Sequence, residues 1–395
     1  MFRKRLSTKI QTAVSNKKKE AALEGGSVTT APRGVPTKGR GRFFLSRTPT
    51  LRRGAGFYGK IIAMAFDVIT IGTATRDFFA KSKAFKVVST PEFVSGWGLC
   101  LPAGGKIDLE DVIFTTGGGA TNAAVTFSRQ GYRAAAVCKI GDDVSGREVL
   151  KDLQAEKVST GFVVQDENSK TAYSVLILSA EGERTALTYR GASESFEIAD
   201  INPRALAAKW FYISGSVPLS VVNIILDKAK DIGAKVAMNP SFGHIKLGLN
   251  GLGEVLKKLD VAVMNREEGA SLTGVDYKRE EKIFGVLDEY VSGAVILTDG
   301  PKGVLVSDGK NIYRAGIFKN KNVADRTGAG DAFGSGFVAG LMESNDIKKA
   351  IRLASANAAS VVEYIGAKAG ILTKNEFEND PRWRNLEVEI KDIGN

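Results

Sequence analysis

From residue 66 onward, apolar residues along the chain follow two alternating periods. Short β-branched runs such as 66–71 and 209–214 predict strands, and the segments that follow them carry apolar residues at helical spacing. In 119–130, for example, small and apolar residues stand at i, i+3, i+4 and i+7 counted from Ala120. Repeated strand–helix units of this length predict a mostly parallel sheet covered by helices on both faces, and therefore an α/β fold.

The same pattern predicts further strands at 134–140, 235–238, 260–264 and 293–298, and helices at 144–155, 218–231, 278–290, 328–343 and 347–364. Two hairpins are expected, one formed by 172–178 and 185–189 and the other within 303–315. Residues 386–390 alternate apolar and charged side chains, which is typical of an edge strand. Residues 78–114 are rich in glycine and proline and predict no definite strands, only an insertion over one edge of the sheet.

Charge divides the chain near residue 60. The formal net charge is +11, but residues 1–60 alone carry +13 and the remainder −2. Residues 1–63 are predicted to be a basic, disordered extension. It could be an arm for nucleic acid or acidic membrane, a targeting peptide, or sequence upstream of a true start at Met64, and we favour a dispensable tail. Residues 64–395 are predicted to form one domain with β insertions at 77–116 and 170–190.

The composition of the chain argues against several classes of protein. The near-neutral charge of the predicted domain argues against a nucleic-acid partner. No run of about eighteen apolar residues occurs, so a membrane span is not expected. Cys100, Cys138 and the lone His244 exclude a structural zinc site, a disulfide scaffold and a Ser-His-Asp mechanism. This cysteine usage predicts a cytoplasmic location.

The most informative stretch is 323–341, in which a polar turn leads through Gly328-Ala329-Gly330 into an apolar helix that begins near Asp331. The small residues leave backbone N–H groups accessible at a helix N-terminus, which favours an anion. Asp331 can be an ordinary first-turn acid, the commoner case in proteins. It can also be a base that shares this turn with an anion site.

Two glycine-rich turns and one helix start allow similar pairs of interpretations. The turn at 117–122 provides either a close helix–sheet contact capped by Asn122 or a backbone approach to a small polar ligand. Asn265 and Glu268 form either a helix cap or an oxygen-rich outer sphere for Mg²⁺. The loop 298–303 is either a hairpin turn or a nucleotide-lining loop. Asp77 alone is typical of a residue that forms a turn. The charged residues in 181–184 are typical of a solvated hairpin tip.

Two common nucleotide-binding folds are excluded. The chain has no Gly-x-x-x-x-Gly-Lys-Ser/Thr motif, so it is not a P-loop NTPase. Gly328-x-Gly330 looks like part of a dinucleotide fingerprint, but it lies near the C-terminus and no strand with an acidic residue follows at the required distance.

Taken together, these stretches resemble the ribokinase (PfkB-type) carbohydrate kinase family, in the family's order and over residues 66–370. The matching motifs are 117–122 (Gly-Gly-Gly-x-x-Asn), 141–146 (Gly-Asp-Asp-x-x-Gly), 265–268 (Asn-x-x-Glu), 298–303 (Thr-x-Gly-x-x-Gly) and 325–333 (Asp-x-Thr-Gly-Ala-Gly-Asp-Ala-Phe). The resemblance implies a three-layer ribokinase-like fold with a small β lid, and in some relatives the lids pair into a homodimer.

The resemblance also implies roles for individual residues. Asp331 would be the catalytic base, beside an anion hole formed by the N–H groups of Gly328, Ala329 and Gly330. The residues implied to bind sugar hydroxyls are Asp77, Gly118, Asn122 and Glu183. Those implied to bind ATP or its Mg²⁺ are Asn265, Glu268 (through water), Thr298, Gly300 and Gly303. Asp325 and Thr327 stand where some members coordinate a monovalent cation such as K⁺.

The implied activity is ATP-dependent, Mg²⁺-requiring phosphorylation of a sugar hydroxyl. An unphosphorylated sugar or a nucleoside is favoured, because no Lys or Arg precedes Arg129 in the helix at 119–130. Arg326 and Gly370 depart from the family's pattern and argue against activation by a monovalent cation, and the segment 94–105 departs most. The alternatives are a nucleoside kinase of this family or a non-catalytic sugar- or nucleotide-binding regulator with a nucleic-acid-binding basic arm.

Overall fold

The computed structural model describes residues 65–93, 96–179 and 184–393. The predicted N-terminal extension at 1–63, Met64 and the predicted sugar-binding residue Glu183 lie outside the described residues.

The described residues form sixteen strands and ten α-helices. The strands are β1 (Phe66–Gly72), β2 (Thr75–Lys81), β3 (Lys86–Ser89), β4 (Trp97–Cys100), β5 (Asp111–Gly117), β6 (Ala134–Gly141), β7 (Ser159–Asp166), β8 (Ala172–Leu178), β9 (Arg184–Tyr189), β10 (Ala208–Gly215), β11 (Lys235–Pro240), β12 (Val261–Asn265), β13 (Ala294–Thr298), β14 (Val304–Ser307), β15 (Asn311–Ala315) and β16 (Val388–Asp392). The helices are α1 (Gly119–Arg129), α2 (Val144–Ala155), α3 (Leu219–Ile232), α4 (Phe242–Ile245), α5 (Gly248–Leu256), α6 (Arg266–Thr273), α7 (Glu280–Leu287), α8 (Ala329–Ser344), α9 (Ile347–Val361) and α10 (Lys374–Asn379).

Ten strands form the main sheet, in the order β16-β15-β14-β13-β12-β11-β10-β1-β6-β7. Every neighbouring pair from β7 to β13 is parallel, whereas β14, β15 and β16 add an antiparallel edge. The inner parallel strands are largely apolar on both faces; all eight residues of β6 are buried. The predicted α/β fold with a mostly parallel sheet is therefore confirmed.

Helices cover both faces of this sheet because alternate strand residues point in opposite directions. Ile69 and Ile71 of β1 belong to a core with α3, α5 and α7. Val68 belongs to the core on the other face, with α1, α8 and α9. The parallel strands thus bring their carboxyl ends to one edge, where α1 and α8 begin.

A second sheet of four strands, in the order β5-β2-β8-β9, stands apart from the main sheet. Its β8–β9 pair is the predicted hairpin, with antiparallel register from Tyr173 opposite Tyr189 to Leu178 opposite Arg184. Strands β2 and β5 come from the stretch for which sequence predicted no definite strands. A separate two-stranded ribbon joins β3 and β4.

The other differences from prediction are local. The pattern missed β7 and the short helices α4 and α5, because their exposed and intermediate positions break the apolar period. The C-terminal edge strand begins and ends two residues later than 386–390 and pairs with β15. None of the helices in the described residues has the length and apolar character needed to cross a membrane.

Candidate active site

The start of α8 is the centre of the site. Gly328 precedes the helix with a φ of 79°, and a Cβ there would lie 2.4 Å from the Cβ of Ala367, so the turn requires glycine. None of the side chains in the described part of the chain caps this N-terminus. The N–H of Ala329 makes only a long bond of 3.4 Å to the carbonyl of Arg326. The helix end therefore presents backbone donors and its positive dipole to an anion.

Asp331, in the first turn of α8, accepts two hydrogen bonds from neutral side chains. Asn122 donates through Nδ2 at 2.9 Å and Ser214 through its hydroxyl at 3.1 Å. Burial raises the pKa of Asp331 above its ordinary value, and the two hydrogen bonds partly oppose that shift. A desolvated carboxylate that has no cationic partner among the residues of known placement is suited to accept a proton.

Three elements converge on this carboxylate because their ends meet at the carboxyl edge of the sheet. Ser214 is the penultimate residue of β10 and is paired in register with Gly72, the last residue of β1. Asn122 lies in the first turn of α1, which begins at Gly119. A Cβ at Gly119 would lie 2.4 Å from the Ser214 hydroxyl, so a larger residue at this position would not fit this arrangement.

Two buried polar atoms beside Asp331 have no hydrogen-bond partner within the described residues. One is Oδ1 of Asn122, whose side chain is 4% exposed, and the other is the hydroxyl of Tyr212, which is fully buried. Burial raises the pKa of Tyr212 well above its ordinary value. An orphaned amide oxygen beside a buried carboxylate is what a ligand hydroxyl would satisfy.

Asp77 and Gly118 lie on the side of the second sheet. Asp77 is in β2 rather than in a turn, and its side chain is 5% exposed and accepts from the Thr75 hydroxyl at 3.1 Å. Burial raises its pKa. A Cβ at Gly117 would lie 2.3 Å from Oδ2 of Asp77, so the carboxylate lies against the turn that contains Gly118. The structure therefore brings Asp77, Gly118 and Asn122 to one region.

The predicted nucleotide loop and the predicted anion site share a cavity of about 400 Å³. Thr298, Gly300 and Gly303 line one side of it, and Ala329 and Gly330 another. The remaining lining residues are Pro301, Gly316, Ile317, Asn320, Val323, Arg326, Phe333, Ser355, Ala358, Ala359 and Val362. A second depression of about 590 Å³ contains none of the predicted site residues.

The nucleotide loop is held by a polar cluster beneath it. The Tyr277 hydroxyl donates to both oxygens of Asp299 at 2.6 and 2.7 Å, and Arg266 forms an ion pair with the same carboxylate at 3.3 Å. Gly303 has a φ of 95°, and a Cβ there would lie 2.1 Å from the carbonyl oxygen of Ala315. These contacts fix the loop at the edge of the cavity.

Asn265 and Glu268 form a reciprocal helix cap at the start of α6. The Asn265 side chain accepts from the N–H of Glu268 at 2.8 Å, and Oε2 of Glu268 accepts from the N–H of Asn265 at 2.8 Å. Burial raises the pKa of Glu268. Asn265 pairs in register with Thr298, so the cap lies at the same sheet edge as the nucleotide loop. Within the described residues no three acidic, histidine or cysteine side chains cluster as a metal site.

Asp325 and Thr327, predicted as cation ligands, are engaged by an arginine from the second sheet. Arg184, the first residue of β9, donates through Nη1 to Oδ1 of Asp325 at 2.6 Å and to the Thr327 hydroxyl. Asp325 is 5% exposed. The hairpin arginine therefore makes a specific contact with the signature loop instead of being only solvated.

Sequence reasoning missed Ser214, Arg184 and Ser355. Ser214 ends a predicted strand at the carboxyl edge, where ligands bind in open α/β sheets, so that rule could have found it. Arg184 stands at a hairpin, where charged residues are usually solvated, and no pattern links it to residues far along the chain. Ser355 lies inside a helix, and only the packing of α9 places it at the cavity.

Comparison with known proteins identifies the family of the chain. The family described as pfkB family carbohydrate kinase matches residues 67–374. The chain is 29% identical over 264 residues to an ATP-dependent 6-phosphofructokinase of Thermoanaerobacterium thermosaccharolyticum, covering 64% of this chain and 80% of that protein. In structure it is similar to Arabidopsis thaliana ribokinase complexed with ribose and ATP, with a TM-score of 0.67, 20% identity, and coverage of 82% of this chain and 100% of the other.

A nucleoside kinase of Methanocaldococcus jannaschii is also similar in structure, with a TM-score of 0.66, 21% identity, and coverage of 80% of this chain and 98% of the other. Because the family matches most of the chain, this protein belongs to the pfkB family of carbohydrate kinases. It is a phosphotransferase with an alcohol group as acceptor, on a ribokinase-like fold.

Proposed function

We propose that this protein transfers the γ-phosphate of ATP to a hydroxyl of a small, unphosphorylated sugar, with Asp331 as the base. The observation that carries the proposal is the turn that holds Asp331. A carboxylate with a raised pKa and neutral hydrogen-bond partners stands in the first turn of a helix whose uncapped N-terminus lines a cavity.

The reaction requires little covalent chemistry from the protein. Asp331 accepts the proton of the attacking hydroxyl, the sugar oxygen forms a bond to the γ-phosphorus, and the bond to the ADP leaving group breaks. The N–H groups of Gly328, Ala329 and Gly330 stabilise negative charge on the transferred group. The cavity bordered by Thr298, Gly300 and Gly303 holds the rest of the nucleotide.

The residues fit a bound Mg²⁺ held mainly through water. The hydrogen bonds of the helix cap use Oε2 of Glu268, which leaves its second oxygen for a water of the ion, and Asn265 fixes that carboxylate. Mg²⁺ would neutralise charge on the phosphates. This assignment agrees with the position of Asn265 beside Thr298 at the nucleotide loop.

On the acceptor side, Asp77, Gly118 and Asn122 would bind substrate hydroxyls, together with Glu183. The orphaned Oδ1 of Asn122 supports this assignment, since a substrate hydroxyl would satisfy it. The second sheet, from the predicted insertions at 77–116 and 170–190, would form the lid over the sugar and could pair two copies of the chain. No cation stands in the first turns of α1 to receive a substrate phosphate.

The test is an ADP-release screen of the purified protein with MgATP over pentoses, hexoses, their phosphates and nucleosides. We expect turnover with a free sugar and none without acceptor. Turnover with nucleosides alone would show that the substrate is a nucleoside and not a sugar. If none of these compounds is phosphorylated, and the protein binds nucleic acid in a salt-sensitive way that requires residues 1–60, the kinase hypothesis fails. The non-catalytic regulator would then be the better interpretation.

A further inference from the structure

Asp325 is the most completely partnered carboxylate of the signature loop. It accepts from Nη1 of Arg184 at 2.6 Å, from the N–H and hydroxyl of Thr327 at 3.0 and 2.8 Å, and from the N–H of Gly366 at 3.2 Å. Its side chain is 1% exposed, whereas that of Arg184 is 40% exposed. A carboxylate buried to this degree needs a positive charge or several donors, and Asp325 has both.

The guanidinium occupies the oxygens that a monovalent cation would need. Nη1 of Arg184 contacts both Oδ1 of Asp325 and the Thr327 hydroxyl. A cation bound to these two oxygens would lie against a fixed positive charge, and it would have to displace the hydrogen bonds already made. The residues present therefore do not fit a monovalent cation while Arg184 is in place.

The same contact joins two distant parts of the chain. Arg184 begins β9 and lies opposite Leu178 of β8, so its backbone belongs to the second sheet. Asp325 opens the loop that leads to Gly328 and α8, and through Gly366 it is also tied to the segment after α9. The side chain of Arg184 thus holds the loop that carries the proposed anion hole.

We propose that Arg184 is a positioning residue that replaces an activating monovalent cation. It supplies the permanent charge at Asp325, orders the loop before Gly328-Ala329-Gly330 when the second sheet is in the observed position, and makes phosphotransfer independent of K⁺. The inference rests on the proposed function for its kinetic consequence. Its claim about charge at Asp325 stands on the contacts alone.

The experiment compares the full chain with Arg184→Gln, Arg184→Lys and the double variant Arg184→Gln/Asp325→Asn, in KCl, NaCl and choline chloride at equal ionic strength. Lys81→Gln, which removes an exposed lysine of β2, serves as the control for general charge on the second sheet. Two quantities are measured in each salt: the melting temperature, which needs no substrate, and kcat with KM for ATP and acceptor.

For the wild-type chain and Lys81→Gln we expect the same kcat in all three salts. Arg184→Gln should lose roughly tenfold in kcat with a smaller change in KM, as expected for the loss of one charge-assisted hydrogen bond. K⁺ should partly restore kcat and raise the melting temperature of this variant, because Asp325 and Thr327 become available. Arg184→Lys should retain more activity, and the double variant should show no K⁺-specific effect.

Activation of the wild-type chain by K⁺ would overturn the proposal, as would an Arg184→Gln variant with unchanged kcat. A fall in melting temperature of Arg184→Gln that no salt reverses would assign the arginine a purely structural role and would also overturn it. If the wild-type chain phosphorylates no acceptor, the proposed function fails. In that case the melting temperature of Arg184→Gln still tests the claim about Asp325. A rise specific to K⁺ would support the claim, and the absence of such a rise would overturn it.

Discussion

Asp325 and Asp331 lie in the same short stretch of sequence, yet their surroundings differ in one decisive respect. Asp325 is bound by a guanidinium, a hydroxyl and two backbone N–H groups. Asp331 is bound by one amide and one hydroxyl, both neutral, and burial raises its pKa. The first carboxylate is held as an anchor by these contacts, whereas the second, with neutral partners and a raised pKa, is suited to take up a proton.

The charge of the partners separates the structural carboxylate from the candidate base. Solvent exposure follows the same division, since Asp325 is buried and Asp331 is partly exposed. Asp325 forms an ion pair with Arg184, whereas the neutral partners of Asp331 compensate its desolvation only in part. Substitutions at and around the two carboxylates test this difference.

Replacing Asp331 with Asn should abolish most of the activity without harming the fold. Asn keeps the size of the side chain and can still pair with Asn122 and Ser214, but it cannot accept the proton. We expect kcat to fall roughly 10²–10⁴-fold while the affinity for ATP stays close to that of the wild type. Steady-state kinetics and nucleotide binding measure the two quantities.

The melting temperature of Asp331→Asn provides its control. Because the pKa of Asp331 is raised in the folded state, keeping the ionised carboxylate buried costs stability at all pH values above that pKa, and the cost disappears as the pH falls through it. At neutral pH the variant should therefore melt at the same temperature as the wild type or higher. A large fall in melting temperature would mean that Asp331, like Asp325, is an anchor.

Gly328 and Gly330 offer a matched pair around the proposed anion hole. Alanine at 328 must adopt a positive φ and would place its Cβ 2.7 Å from the Cα of Ala367, whereas a Cβ at 330 meets no atom within 4 Å. We expect Gly328→Ala to destabilise the fold by about 1–3 kcal/mol and to lower kcat. Gly330→Ala should melt at or above the wild-type temperature. Equal melting temperatures for the two variants would contradict the described turn.

Arg326 should show the smallest effect. It is exposed at the rim of the cavity, beside the residues proposed to bind phosphate. Arg326→Gln should raise KM for ATP roughly three- to fivefold, in the range of a solvent-exposed ion pair, and leave kcat nearly unchanged. The difference should shrink at high salt. Lys321→Gln, an exposed lysine before the same loop, is the control; an equal change there would indicate only general attraction of ATP.

The sequence was sufficient for the main sheet apart from its edge strand β7, because buried parallel strands and amphipathic helices leave strong periodic patterns. The 144–155 helix was predicted with its observed bounds, and the β8–β9 hairpin within one residue. The strands of the second sheet were harder to predict from the sequence. Its strands β2 and β5 expose part of their surface and are interrupted by the ribbon β3–β4, so neither shows a sustained alternation.

For the candidate site, the sequence indicated residues but not their partners. Asp331 and Asn122 were identified by motif, whereas their direct hydrogen bond depends on where α1 and α8 meet the sheet. The contact between Arg184 and Asp325 joins residues 141 positions apart, and nothing in the local pattern of either one predicts it. The difference between the two carboxylates became visible only with these contacts.

The pH dependence of kcat/KM for the wild type and Ser214→Ala tests the central claim most directly. The Ser214 hydroxyl lowers the pKa of Asp331, so its removal should raise that pKa further and move the acid limb of the profile to higher pH. Ser216→Ala, which removes a hydroxyl bound by Arg190, should leave the limb in place. An acid limb at the same pH in the wild type and Ser214→Ala would contradict the assignment of Asp331 as the base.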